Sequence, residues 1–203
     1  MPVKVKICGV CTVEDARASV AAGADFLGLN FHPASPRVVG VERAAEIAAA
    51  VPGTPLVGVF VDAARERVEA LAARLGLAAL QFHGEEEPDY CRGWPWRTIK
   101  ALRAAPGVDL AALAARYPTD YVLADSFVSG TAGGTGHPLD LAAAAAIPPA
   151  RLFLAGGLRP ETVAAAVRTV RPFAVDVASG VEASPGRKDH GKLEAFIRSA
   201  KGV

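Results

Sequence analysis

Two stretches, Leu152-Phe153-Leu154-Ala155-Gly156-Gly157-Leu158 and Ala174-Val175-Asp176-Val177-Ala178-Ser179-Gly180-Val181-Glu182, follow one plan: an apolar run that stops at a glycine turn. Between them, Pro160 to Val170 is an Ala-rich segment with helical apolar spacing. Strand, turn, helix and strand in that order make the unit of a parallel sheet, because parallel neighbours need a crossover between them.

The same alternation runs outward from this unit to both ends of the chain. Further strands are predicted at Val3 to Ile7, Phe26 to Phe31, Leu56 to Phe60, Leu80 to Phe82, Thr98 to Leu102 and Tyr121 to Ala124, which brings the total to eight. Helices are predicted from Thr12, with Glu14 and Asp15 placed to suit the helix dipole, and over Val41 to Val51 and Ala63 to Leu75. Others follow around Pro88 to Cys91, Asp109 to Tyr117, Leu139 to Ile147 and Lys192 to Ala200. With no composition shift and no long polar linker, the expectation is an α/β fold, a (β/α)8 barrel forming one domain over residues 1–203. An open doubly wound sheet is the alternative. Against it, no Gly-x-Gly-x-x-Gly follows the first strand, and the informative residues are spread over many strand ends. Eight units in 203 residues leave about 25 residues each, so the loops must be short.

Composition narrows the function. The chain carries 22 Lys+Arg against 21 Asp+Glu and is 51% hydrophobic, so no global field favours nucleic acid or an anionic membrane surface. No run of 18 uncharged apolar residues occurs, and Met1-Pro2-Val3-Lys4-Val5-Lys6-Ile7 alternates where a signal peptide would be continuously apolar, so a cytoplasmic protein is expected. Three cysteines make no disulfide framework. Asn30, Gln81 and Met1 are the sole residues of their types, a scarcity that fits a thermophilic protein and equally a GC-rich genome.

Cys8, His32, Arg37, His83, Asp125, Gly156, Gly157 and Ser179 all fall just past the C-terminal ends of strands, the end at which barrel enzymes keep their chemistry. Cys8 and Cys11 form a Cys-x-x-Cys that is open to four readings: a redox pair, a zinc half-site, a buried small hydrophobe and a general base with Lys6 nearby. Zinc would need partners that Cys91 and the four histidines are not spaced to supply, so neither metal nor cofactor is expected. Asp125, directly after an apolar strand, is either a turn former or a working group at the mouth. Asp176 interrupts an apolar strand, either to orient a ligand or another site residue, or as part of a polar layer inside the barrel.

The glycine turns at Gly130 to Gly136, Gly156-Gly157 and Ser179-Gly180 let backbone N–H groups approach an anion, and the loops after strands seven and eight are a common phosphate site in barrels. Ser35-Pro36-Arg37 presents a guanidinium on a stiffened turn, suited to a carboxylate, although such a side chain is also an ordinary loop charge. Among His83, His137 and His190, the first points to the inferred mouth.

The ordered set Lys6-Ile7-Cys8-Gly9, Gly23-Ala24-Asp25, Ser35-Pro36-Arg37, Gly58-Val59-Phe60, Gln81-Phe82-His83-Gly84, Asp125 with Gly133-Gly134-Thr135-Gly136, Ala155-Gly156-Gly157-Leu158 and Asp176 to Glu182 resembles the phosphoribosylanthranilate isomerases of tryptophan biosynthesis, over essentially the whole chain. The resemblance implies a cofactor-free Amadori rearrangement of a phosphosugar substrate; the sequence leaves monomer or homodimer open, since the Ala-rich exterior suits helix packing within a monomer as well as a dimer face. It further implies Asp125 as general acid, Cys8 as general base, Arg37 at the substrate carboxylate, and Gly156, Gly157, Ser179 and Gly180 at the phosphate. His83 and Asp176 are lesser substrate-site candidates. Cys11 stands where that family usually has Thr, Phe82 where Leu is usual, and Gly136 to Leu141 replaces a more aromatic segment. Oxidation to a Cys8–Cys11 disulfide would silence the base. The histidine-pathway isomerase that runs the same chemistry has a carboxylate at the end of strand one, where this chain has Cys8.

Overall fold

The computed structural model describes residues 2–105, 107–126 and 141–202. Eight parallel strands close into a barrel in sequence order: β1 (Lys4–Cys8), β2 (Phe26–Asn30), β3 (Leu56–Phe60), β4 (Ala79–Phe82), β5 (Arg97–Ala104), β6 (Tyr121–Ser126), β7 (Leu152–Leu154) and β8 (Ala174–Val177). The closing pair is β1 with β8, in register from Lys4↔Ala174 to Ile7↔Val177. Around them lie α1 (Val13–Ala21), α2 (Val41–Ala50), α3 (Arg65–Leu75), α4 (Leu110–Ala115), α5 (Leu141–Ala145), α6 (Val163–Val170) and α7 (His190–Lys201). The expected barrel is the one observed.

Alternate side chains of a strand face opposite ways, and the sequence fills both faces. One parity packs against the helices: Val5, Ile7, Leu27, Leu29, Leu80 and Phe82 meet stripes such as Val163, Ala166, Val167 and Val170 of α6. The other fills the barrel with Val57, Ala79, Ile99, Ala101, Leu123, Phe153, Ala155 and Ala174, with Phe26, Tyr121 and Phe173 packed against them. On this inner parity also lie Lys6, Gln81, Asp125 and Asp176, all buried. Helix starts follow local chemistry. Thr12 Oγ1 accepts the Asp15 N–H at 3.0 Å, and the Asp109 and Asp189 carboxylates cap α4 and α7 in the same way.

Two local expectations change. The helix predicted at Pro88 to Cys91 is a turn, because Pro88, Gly93 and Pro95 leave too few residues between breakers for a helix. Aromatic rings cover β4 in its place: Tyr90 and Trp94 each lie 5.3 Å from the Phe82 ring, and the Arg65 guanidinium sits 4.0 Å over Trp94. Tyr90 donates to the Ala63 carbonyl, and Trp94 to that of Tyr90, both at 2.8 Å. The second change follows β8, where a short hairpin, β9 (Glu182–Ser184) with β10 (Arg187–Lys188), precedes α7.

Candidate active site

At the C-terminal ends of the strands a cavity of about 410 Å³ opens, and Cys8, Arg37, His83, Asp125, Gly156, Gly157, Asp176, Ser179 and Gly180 all line it. Its size suits a small organic ligand.

Cys8 ends β1 opposite Gly28 of β2, and a Cβ on that glycine would lie 2.8 Å from the Cys8 sulfur and 3.1 Å from Lys6 Nζ. Burial pushes the Cys8 thiol up, opposed by Lys6, reinforced by Asp176 and opposed again by Lys188. Lys6 is fully buried and donates to Asp176 Oδ1 at 2.7 Å. Burial works against its charge, but Asp176 and Cys8 outweigh that and hold the ammonium above its usual range.

Asp125 is the next-to-last residue of β6, across the mouth, with His83 Nε2 3.5 Å from its Oδ2. Gln81 Nε2 lies 2.8 Å from His83 Nδ1. With that amide donating to Nδ1, a neutral His83 carries its proton on Nε2, toward Asp125.

Arg37 lies across Gly9, where a Cβ would stand 2.5 Å from Arg37 Cδ and where φ is +69°. Its guanidinium is held by Glu182, which follows β8, Nε to Oε1 at 2.8 Å and Nη2 to Oε2 at 2.7 Å. The hydrogen bond that Arg37 donates to Glu182 raises the Arg37 pKa further, against the effect of burial. Three of its five N–H donors remain. The turns after β7 and β8 interlock: Gly156 and Gly157 have φ of +83° and +68°, and a Cβ on Gly180 would fall 2.0 Å from the Leu158 carbonyl oxygen. A side chain at Gly180 would therefore force the two turns apart.

The model of the N-(5'phosphoribosyl)anthranilate (PRA) isomerase family matches residues 5–199. The chain belongs to this isomerase family. A curated N-(5'-phosphoribosyl)anthranilate isomerase from Pseudomonas fluorescens is 46% identical over 201 residues, covering 98% of each chain. The crystal structure of phosphoribosyl anthranilate isomerase from Thermotoga maritima superposes with a TM-score of 0.90 at 38% identity, over 99% of this chain and 100% of that one. A second structure of such an isomerase, in complex with reduced 1-(o-carboxyphenylamino)-1-deoxyribulose 5-phosphate, matches at a TM-score of 0.86 and 38% identity, over 99% and 100%.

Within this isomerase-family fold, several residues at the site carry roles that their local sequence does not announce. Lys188 of β10 donates to the carbonyl of Cys8 at 2.7 Å, to that of Ala178 at 3.3 Å and to Glu182 Oε1 at 3.0 Å, tying the hairpin to the ends of β1 and β8. Burial would raise the Glu182 carboxyl, but Arg37 and Lys188 hold it below its usual range. The motif contains Glu182, yet nothing near it in sequence names its partner, Arg37. Gln81, fully buried, is likewise visible only as part of a motif.

The remaining candidates fall outside the constellation. The three cysteines are free thiols. Cys11 turns its sulfur to the carbonyls of Gly9, at 3.5 Å, and Arg37, at 3.4 Å, while the Cys8 sulfur faces Gly28. His190 pairs with Asp15, Nε2 to Oδ1 at 2.9 Å. The glycine turn at Gly130 to Gly136 and His137 lie outside the described residues. Among the described residues, no three His, Cys, Asp or Glu side chains gather as a metal-binding group, and no helix is long and apolar enough to cross a membrane.

Proposed function

We propose that the chain converts N-(5-phosphoribosyl)anthranilate to 1-(2-carboxyphenylamino)-1-deoxyribulose 5-phosphate by an Amadori rearrangement in tryptophan biosynthesis, with Asp125 as general acid and Cys8 as general base. Membership of the isomerase family over the whole length supports the reaction. The observation that carries the assignment of roles is that one acid and one thiol, from β6 and β1, line a single cavity.

Asp125 gives its proton to the furanose ring oxygen, the bond from that oxygen to C1 breaks, and the nitrogen lone pair forms an iminium at C1. The cation acidifies C2. The Cys8 thiolate takes the C2 proton, and the electron pair left behind forms the C1–C2 double bond of an enolamine, which tautomerises to the ketone. Each group would contribute roughly a hundred- to ten-thousand-fold. Both steps are proton transfers, which need neither metal nor redox cofactor.

The anchors follow from charge. Arg37, with donors left over from Glu182, holds the anthranilate carboxylate, and the turns at Gly156, Gly157, Ser179 and Gly180 hold the phosphate. His83 orients the acid, and Asp176 faces the sugar from β8. Rescue of a tryptophan auxotroph lacking this isomerase tests the proposal: growth on expression supports it, and no growth with soluble protein present rejects it.

A further inference from the structure

Lys6 is the large buried side chain that the steps above leave unused. A lysine with no solvent contact keeps its charge only beside an anion. Asp176 is that anion, at 2.7 Å, so the ammonium is in place before any charge develops on Cys8. The sulfur and the ammonium both converge on Gly28, whose missing side chain leaves room for them to meet. Four charged groups face the sulfur: Lys6 from β1, Asp176 from β8, Lys188 from β10 and Arg37 from the loop after β2. Lys188 is committed to two backbone carbonyls and Glu182, and Arg37 to Glu182. Lys6 is the cation whose head reaches the sulfur, and its pull on the thiol exceeds the push of Asp176.

We propose that Lys6, kept protonated by Asp176, is a positioning residue that stabilises the Cys8 thiolate. The proposal rests on the general-base reading of Cys8. In the C2 step the thiolate becomes a thiol as it accepts the proton, and Lys6 remains an ammonium throughout. The pair thus acts as a fixed dipole with its positive end at the sulfur, needing no rearrangement as the reaction proceeds.

The test is the pH dependence of Cys8 alkylation by iodoacetamide in the full chain carrying Cys11→Ser and Cys91→Ala, which leaves one thiol to react. Two further variants are read against it, with folding checked by near-ultraviolet circular dichroism. Asp176→Asn removes the anion that keeps Lys6 charged, and because the pull of Lys6 on the thiol exceeds the push of Asp176, the alkylation midpoint is expected to move to higher pH. Lys6→Met with Asp176→Asn removes both charges and strands neither, and the midpoint is expected to rise by about one pH unit, a tenfold loss of thiolate at neutral pH. An unchanged midpoint in the folded double variant, or one that stays or falls in Asp176→Asn, overturns the proposal. Alkylation needs no turnover, so retained activity in Cys8→Ser would overturn the general-base reading separately and leave this readout standing.

Discussion

The carboxylate of Glu182 grips the guanidinium of Arg37 through two parallel hydrogen bonds, at 2.8 and 2.7 Å, joining the start of β9 to the loop after β2 across 145 residues of chain. Such a bidentate pair fixes the plane of the guanidinium as well as its position. The same carboxylate takes a hydrogen bond from Lys188, which in turn holds the backbone at Cys8. One buried anion therefore sets both the proposed carboxylate anchor and the end of β1.

Glu182→Gln should weaken both. It leaves Arg37 and Lys188 without a counter-charge, a loss of about 3–5 kcal/mol for a buried pair. KM should rise about tenfold or more, because the anchor loses its fixed plane, while binding of inorganic phosphate changes little. The sign of the pH effect follows from the depressed Glu182 pKa: its stabilisation is present above the unfolded value and is lost as pH falls through the lower folded value. The wild type should therefore carry an acid-limb loss of stability that Glu182→Gln lacks. Acid denaturation of the two proteins, followed by circular dichroism, checks this; coincident acid limbs would refute it.

Cys8→Ser and Asp125→Asn should each reduce kcat by at least about a hundred-fold, since each removes one proton-transfer group and little bulk. Binding of a product analogue should survive in both. Calorimetric titration against steady-state kinetics separates the two quantities, and kcat near the wild-type value in either variant would remove that residue from the mechanism.

The raised Cys8 thiol predicts the direction of the rate profile. Because burial holds it above its ordinary range, the thiolate is a minor form at neutral pH, and the rate of Cys8 alkylation in the Cys11→Ser, Cys91→Ala chain should climb between about pH 6.5 and 9, whereas kcat/KM, which also needs the Asp125 proton, should climb less steeply. A pH profile at constant ionic strength measures this. A profile that falls across the interval would contradict a thiolate base.

The barrel was legible because its period is long and uninterrupted, and because strand-end residues are given a common mouth by the fold itself. The failures have separate causes. Pro88 to Cys91 falls where the barrel period calls for a helix but sits among breakers, and the aromatic cover formed by Tyr90 and Trp94 has no periodic signature. Lys4 and Lys6 alternate with Val5 and Ile7, a pattern that ordinarily puts lysines in water. In a closed barrel that parity faces inward, so Lys4 reaches solvent at the rim and Lys6 is sealed inside. The Arg37–Glu182 pair needs closure of the barrel before either residue can indicate the other.

Trp94→Ala should separate stability from chemistry. The indole covers Phe82, carries Arg65 on its face and lies outside the cavity lining. Its loss should cost about 2–4 kcal/mol, lowering the melting temperature by about 5–10 °C, with kcat/KM unchanged at 25 °C. Melting curves beside kinetics decide it, and a kinetic defect at a temperature where the variant is folded would show that the cover reaches the site.

Gly180→Ala should do the reverse. A methyl group there would stand 2.0 Å from the Leu158 carbonyl oxygen, and that oxygen belongs to backbone that cannot swing away as a side chain can. Relief requires the turn after β8 to move off the turn after β7, which widens the proposed phosphate cradle. Substrate KM and the inhibition constant of inorganic phosphate should then rise together, by about tenfold or more, because both depend on converging N–H groups. Gly40→Ala, at a glycine with nothing within 4 Å of its Cβ position and, like Gly180, no positive φ, serves as the control for adding a methyl group alone. If Gly180→Ala binds phosphate as the wild type does, the interlocked turns are scaffold and the anion is held elsewhere.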